Sequence, residues 1–120
     1  MEVHVLVVDD EPVIRGLLVT ILQDAGYVVD EAGNGAEALQ KVQTSLPNAI
    51  VLDLLMPVMD GFQFLEHCRL LPGCEQLPIV VLSASHVVLS DERVRAFVKK
   101  PFDLNVFVAA VEAVVRPEGQ

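Results

Sequence analysis

Ala49-Ile50-Val51-Leu52-Asp53 runs directly into Leu54-Leu55-Met56-Pro57-Val58-Met59-Asp60-Gly61. An unbroken apolar run of this length reads as a strand buried on both faces of a parallel sheet. Asp53 closes the run and a Pro/Gly loop follows. The carboxylate therefore stands at the C-terminal edge of the sheet, where open α/β sheets hold their ligands. The pattern recurs on either side. Val5-Leu6-Val7-Val8 ends in Asp9-Asp10, Ile79-Val80-Val81-Leu82 ends in Ser83, and the weaker run Ala96-Phe97-Val98 leads to Lys99 and Lys100. Four strands thus deliver Asp9, Asp10, Asp53, Ser83 and Lys100 to one edge.

Those five side chains form a chemical set. Three carboxylates in a small space repel one another unless a cation or protons neutralise them. Oxygen-only ligands with open positions suit Mg²⁺, which shares its shell readily with phosphate. Lys100 offers a compact positive charge for a phosphoryl or carboxylate oxygen, and Ser83 a hydroxyl donor. A carboxylate can attack phosphorus as a nucleophile, so an aspartyl-phosphate is within reach of this set. Taken singly, each residue has a plainer role. Asp9 or Asp10 would cap the next helix, Lys100 would be a solvated charge, and Ser83 a turn residue. His4, His67 and His86 show no metal-ligand spacing.

Around these strands the chain alternates strand and helix. His4 to Val8 is the first strand. Pro12 opens a helix in which Ile14, Leu17, Leu18 and Ile21 recur at i, i+3, i+4, i+7, and Gly26 ends it. Val19 and Leu22 fall outside the tightest stripe, which leaves two readings open: a broad core face, or a surface for a partner helix. Tyr27 to Ala32 reads as the second strand. Gly33-Asn34-Gly35 reads as a turn, and Ala36 to Ser45 as a helix with Ala38, Leu39 and Val42 inward. Asp60-Gly61 is turn and cap for a third helix through Phe62, Leu65 and Cys68, ended near Pro72-Gly73. Asp103 caps a last helix lined by Leu104, Phe107, Val108, Val111, Val114 and Val115. This alternation predicts an α/β domain with a parallel sheet covered by helices on both faces.

Composition narrows the class. The 120 residues are 52% hydrophobic, enough for the core of one domain. We expect that domain over residues 1–116, with 117–120 a tail or the start of a linker. A net charge of −9 argues against nucleic-acid binding by this domain. No apolar stretch approaches the roughly 18 residues that span a bilayer, and no basic leader precedes the first strand, so a soluble cytoplasmic protein is expected. Cys68 and Cys74 match no metal or disulfide framework and read as reduced, packed thiols.

The sequence resembles the receiver domain of two-component response regulators over essentially its whole length. The resemblance rests on Val7-Val8-Asp9-Asp10-Glu11-Pro12, Asp53 through Gly61, Leu82-Ser83-Ala84 and Lys100-Pro101-Phe102. It implies a flavodoxin-like (βα)5 fold with strand order 2-1-3-4-5. It implies that Asp53 accepts a phosphoryl group from a histidine kinase or phosphotransfer protein. Mg²⁺ would be held by Asp10, Asp53 and the backbone carbonyl of Leu55, with Asp9 acting largely through water. Ser83 and Phe97 match the switch positions, Lys100 the phosphate-binding lysine, and the Lys100–Pro101 bond would be cis. Such a domain acts as a signalling switch and is no enzyme beyond its own phosphorylation and dephosphorylation. Its output passes to a downstream protein, an output domain outside this chain, or a homodimer.

One segment departs from the family. Ser83 to Lys100 is several residues shorter than in other receivers, so the fourth helix should be shortened, displaced or replaced by a loop. That leaves room for a second reading, a receiver-like module that binds its partner without being phosphorylated. A Mg²⁺-dependent phosphatase with an aspartyl nucleophile fits less well, because those enzymes carry Asp-x-Asp on the first strand and Asp9-Asp10-Glu11 does not match.

Overall fold

The computed structural model describes residues 2–84 and 89–115. Five parallel strands, β1 (His4–Val8), β2 (Val28–Ala32), β3 (Ala49–Asp53), β4 (Ile79–Ser83) and β5 (Val94–Lys99), lie in the order β2-β1-β3-β4-β5. Four helices accompany them among the described residues: α1 (Pro12–Asp24), α2 (Gly35–Thr44), α3 (Gly61–Cys68) and α4 (Leu104–Val115). All residues of β3 and β4 are buried, as two-sided strands require.

Successive side chains of each strand alternate between two cores. Leu6, Val8, Ile50, Leu52, Ile79 and Val81 face α2 and α3 through Ala38, Val42, Phe64, Leu65 and Cys68. Val5, Val7, Val51, Val80 and Leu82 face α1 and α4 through Leu18, Leu22, Phe107, Val111 and Val114. Helix ends follow local chemistry. Gly26 follows α1 with φ +102°, the left-handed geometry a glycine supplies cheaply. Asn34 is more than a turn residue, since its side chain accepts from the Glu37 amide at 3.0 Å and starts α2. Asp60 and Gln63 form a reciprocal capping box on α3.

On α1 the structure decides between the two readings. Leu22 is fully buried while Leu17 is 45% exposed, so the core-facing stripe is rotated from the one the spacing indicates. Leu22 belongs to a broad core face, and a partner surface would have to use Val13 and Leu17.

The connection between β4 and β5 carries no helix among its described residues, 84 and 89–93. The described chain therefore has four helices rather than five, in line with the short Ser83–Lys100 spacing. A buried ion pair fills part of the gap. Arg93, 2% exposed, donates from Nε and Nη2 to the Asp91 carboxylate at 3.0 and 2.7 Å, and from Nη2 to the Leu65 carbonyl of α3 at 2.7 Å. Arg69, just past the end of α3, donates to the same carboxylate at 3.1 Å. The pair pins the connection to α3, and β5 runs Val94–Lys99, longer at both ends than the expected Ala96–Val98. A register shift follows at once, with Ile79 opposite Val94 but Val80 opposite Ala96. Ser85, His86 and residues 117–120 lie outside the described residues. Among the described residues no helix is long and apolar enough to cross a membrane.

Candidate functional site

The parallel order brings the C-terminal ends of β1, β3, β4 and β5 to one edge. Asp9 is fully buried there, Asp53 is 5% exposed, and Asp10 is half-buried. Each of the three offers a carboxylate oxygen within 4.8 Å of the others. Lys100 comes from the end of β5 and donates from Nζ to Asp9 Oδ2 at 3.2 Å and Asp53 Oδ2 at 3.4 Å. Its Nζ also lies 3.7 Å from Glu11, an acid absent from the expected set and exposed at the rim. Ser83 is buried beside this group, and its carbonyl accepts from the Lys100 amide at 2.8 Å. The Lys100–Pro101 peptide is cis, as expected.

Electrostatics follow from this crowding. Burial holds the Asp53 carboxyl above its ordinary value; Lys100 pulls it down, Asp9 adds to the rise, and the Leu55 amide opposes it by a hydrogen bond. For Lys100, burial alone would lower the ammonium, but Asp9 and Asp53 together outweigh it and hold the group above its usual range. The Lys100 ammonium thus sits charged between two acids that would otherwise repel. Asp10, Glu11, Asp53, Leu55, Ala84 and Lys100 line an open cleft of about 240 Å³. An apolar cleft with Ile14, Leu17, Pro101 and Phe102 adjoins it.

The loop after β3 is shaped to let α3 begin close against the acid. A Cβ on Gly61 would lie 2.7 Å from the Asp53 carbonyl and 2.8 Å from the Leu54 Cα, so only glycine fits. Val58 in the same loop has φ +68°, a strained value for a β-branched residue. Phe97 on β5 stands opposite Val81 and shares its face of the sheet, 40% exposed. The structure thus gathers Asp9, Asp10, Asp53, Leu55, Ser83 and Lys100, and leaves Phe97 apart on the sheet face that α2 and α3 share.

This arrangement has a match among known proteins. The profile described as the response regulator receiver domain matches residues 5–112. The chain belongs to the response regulator receiver domain family. This receiver domain is 40% identical over 124 residues to response regulator MprA of Mycobacterium tuberculosis, covering 97% of this chain and 52% of that protein. It spans about half the length of the curated relatives it matches. Chemotaxis protein CheY4 of Vibrio cholerae superposes with a TM-score of 0.87 at 32% identity, covering 95% of the receiver domain and 99% of that chain. Response regulator TrrA of Thermotoga maritima, solved in complex with Mg²⁺-BeF, gives a TM-score of 0.82 at 33% identity over 95% and 99%.

One residue at this edge escaped the sequence reading. Arg15 on α1 donates from Nη1 to the Asp9 carbonyl at 2.8 Å and from Nε to Glu31 Oε1 at 2.8 Å. Its signal was present, as a lone arginine one helical turn beyond the acidic pair, but surface arginines on helices are common.

Proposed function

We propose that this receiver domain is a phosphorylatable switch in which Asp53 accepts a phosphoryl group from a histidine kinase or phosphotransfer protein. The observation that carries the reading is the close acidic triad with Lys100 bridging Asp9 and Asp53. In the transfer a carboxylate oxygen of Asp53 forms the new P–O bond as the bond from phosphorus to the donor breaks. The product is an acyl phosphate. Lys100 then moves its hydrogen bonds from the acids to the phosphoryl oxygens, and the Ser83 hydroxyl supplies a further donor. Hydrolysis of the acyl phosphate by water resets the domain, so its chemistry is confined to its own modification.

An oxygen-only set of three carboxylates fits Mg²⁺. Asp10, Asp53 and the Leu55 carbonyl would hold it, with Asp9 acting through water, and it would offset charge on the transferring group. Phe97 and Ser83 would report the change. Residues 1–116 form the receiver unit in this reading, and 117–120 are a tail or the start of a linker. Its output passes to a protein partner, to a region beyond this chain, or to a second copy of the domain in the cytoplasm. An Asp-nucleophile phosphatase is disfavoured, because the acid placed as nucleophile stands on β3 rather than β1.

The test is labelling with acetyl phosphate or phosphoramidate in Mg²⁺. The wild type gains one hydroxylamine-labile phosphate and Asp53→Asn gains none. Stoichiometric labelling of Asp53→Asn, or acid-stable phosphate on Ser or Thr, would overturn the assignment. The helix-free connection among the described residues supports a second reading, binding that is independent of phosphate. Partner affinity unchanged between labelled and unlabelled protein would favour it.

A further inference from the structure

Asp9 is wholly buried, and its polar groups are served from four separate places in the fold. Its amide donates to the Ala32 carbonyl of β2 at 3.1 Å. Its Oδ1 accepts from the Glu11 amide at 2.9 Å and its Oδ2 from Lys100 at 3.2 Å. Its backbone carbonyl lies beyond Val8, the last residue of β1 in register with β2 and β3, so neither strand serves it. Arg15 does, with Nη1 donating at 2.8 Å.

That carbonyl belongs to the planar peptide group that joins Asp9 to Asp10. Holding its oxygen fixes the plane from which the Asp10 backbone departs, and hence the direction of the Asp10 carboxylate. Arg15 is itself held. Its Nε donates to Glu31 at the end of β2, and its Nη1 packs over Gly33, where a Cβ would come within 3.3 Å. The Gly33 amide donates in turn to Glu37 of α2. A planar guanidinium can serve the Asp9 carbonyl and Glu31 together, which a single ammonium on a flexible stem does poorly.

We propose that Arg15 is a positioning residue for the divalent cation, fixing the Asp9–Asp10 peptide so that the Asp10 carboxylate converges with those of Asp9 and Asp53. The proposal rests on the metal-dependent reading above. Arg15 has no need to touch the ion, since hydrogen-bonded supports behind metal ligands commonly change affinity 10–100-fold. The sign of the effect separates positioning from mere proximity. A nearby guanidinium repels a divalent cation, so removing its charge alone would tighten binding. Removing a positioning group loosens it.

The experiment titrates wild type, Arg15→Ala and Arg15→Lys with Mg²⁺ by calorimetry, with circular dichroism to establish that each is folded. Arg15→Ala is expected to weaken Mg²⁺ about tenfold. Arg15→Lys keeps the formal charge and is expected to weaken it by a smaller factor that geometry alone explains. Arg15→Ala binding as tightly as wild type, or more tightly, overturns the proposal. Should Arg15→Ala fail to fold, Arg15→Lys decides, and unchanged affinity there overturns it too. Wild type that takes up no Mg²⁺ at millimolar concentration would refute the metal reading itself, and that result is visible before any variant is compared.

Discussion

Lys100 Nζ lies 3.4 Å from Asp53 Oδ2, so an ammonium just past β5 neutralises the acid at the end of the central strand. The same Nζ is 3.2 Å from Asp9 Oδ2, and one cation serves two buried carboxylates.

Lys100→Ala should therefore destabilise the metal-free domain by roughly 2 kcal/mol, less than for a sealed interior because the cleft is open to water. Mg²⁺ at millimolar concentration should then raise the melting temperature more in the variant than in wild type, by replacing the lost charge. Thermal melts with and without Mg²⁺ measure both effects. Identical melting of the two metal-free proteins would contradict the bridging role.

Asp53→Asn should raise stability at pH 7. Burial and Asp9 together hold this carboxyl above its ordinary 3.8. An acid raised in the folded state costs nothing while protonated below that ordinary value, and the cost grows as pH rises through the folded value. The gap between Asp53→Asn and wild type should thus be absent under acid conditions and full at neutrality. Denaturation midpoints across pH 3–8 check it, and a gap that widens toward acid has the wrong sign.

The Asp91–Arg93 pair has the opposite dependence. A hydrogen bond from Arg93 holds Asp91 below 3.8 even though burial opposes the shift. The pair's stabilisation is present above 3.8 and is lost as pH falls through the lower folded value. Asp91→Ala leaves the guanidinium buried and unpaired, so it should cost about 3 kcal/mol at pH 7. That difference should shrink in strong acid. Urea titrations at pH 7 and pH 3 test it, and equal losses at both would sink the ion-pair account.

Val58 is 82% exposed, so replacing it removes no packing, while its φ of +68° is strained. Val58→Asn should stabilise the domain by about 1 kcal/mol, because asparagine tolerates the left-handed region. An unmoved urea midpoint would show that the loop stores no such strain.

Much of this was legible in the residues. Ile50 to Leu52 and Ile79 to Leu82 are apolar without interruption and too short for a buried helix, which fits a two-sided strand. Asp9, Asp53 and Ser83 end such runs directly, and Asp10 and Lys100 stand one residue beyond a run, so sheet topology alone had to unite them. Less could be read where packing overrides pattern. Leu17 and Leu22 are chemically identical, and only the tilt of α1 on the sheet decides which is covered. The buried Arg93 carries no signal in the sequence, because its burial depends on Asp91 and a carbonyl on α3, neither visible from its own position.

Cys68 and Cys74 are both fully buried, and burial pushes the Cys68 thiol up to about 12, with Cys74 adding to the rise. Maleimide and iodoacetamide reagents must reach a thiolate, so burial shields both sulfurs and Cys68 in addition offers almost no thiolate at neutral pH. A dye coupled to one engineered surface cysteine would report from that position alone, and both natural thiols could stay in place.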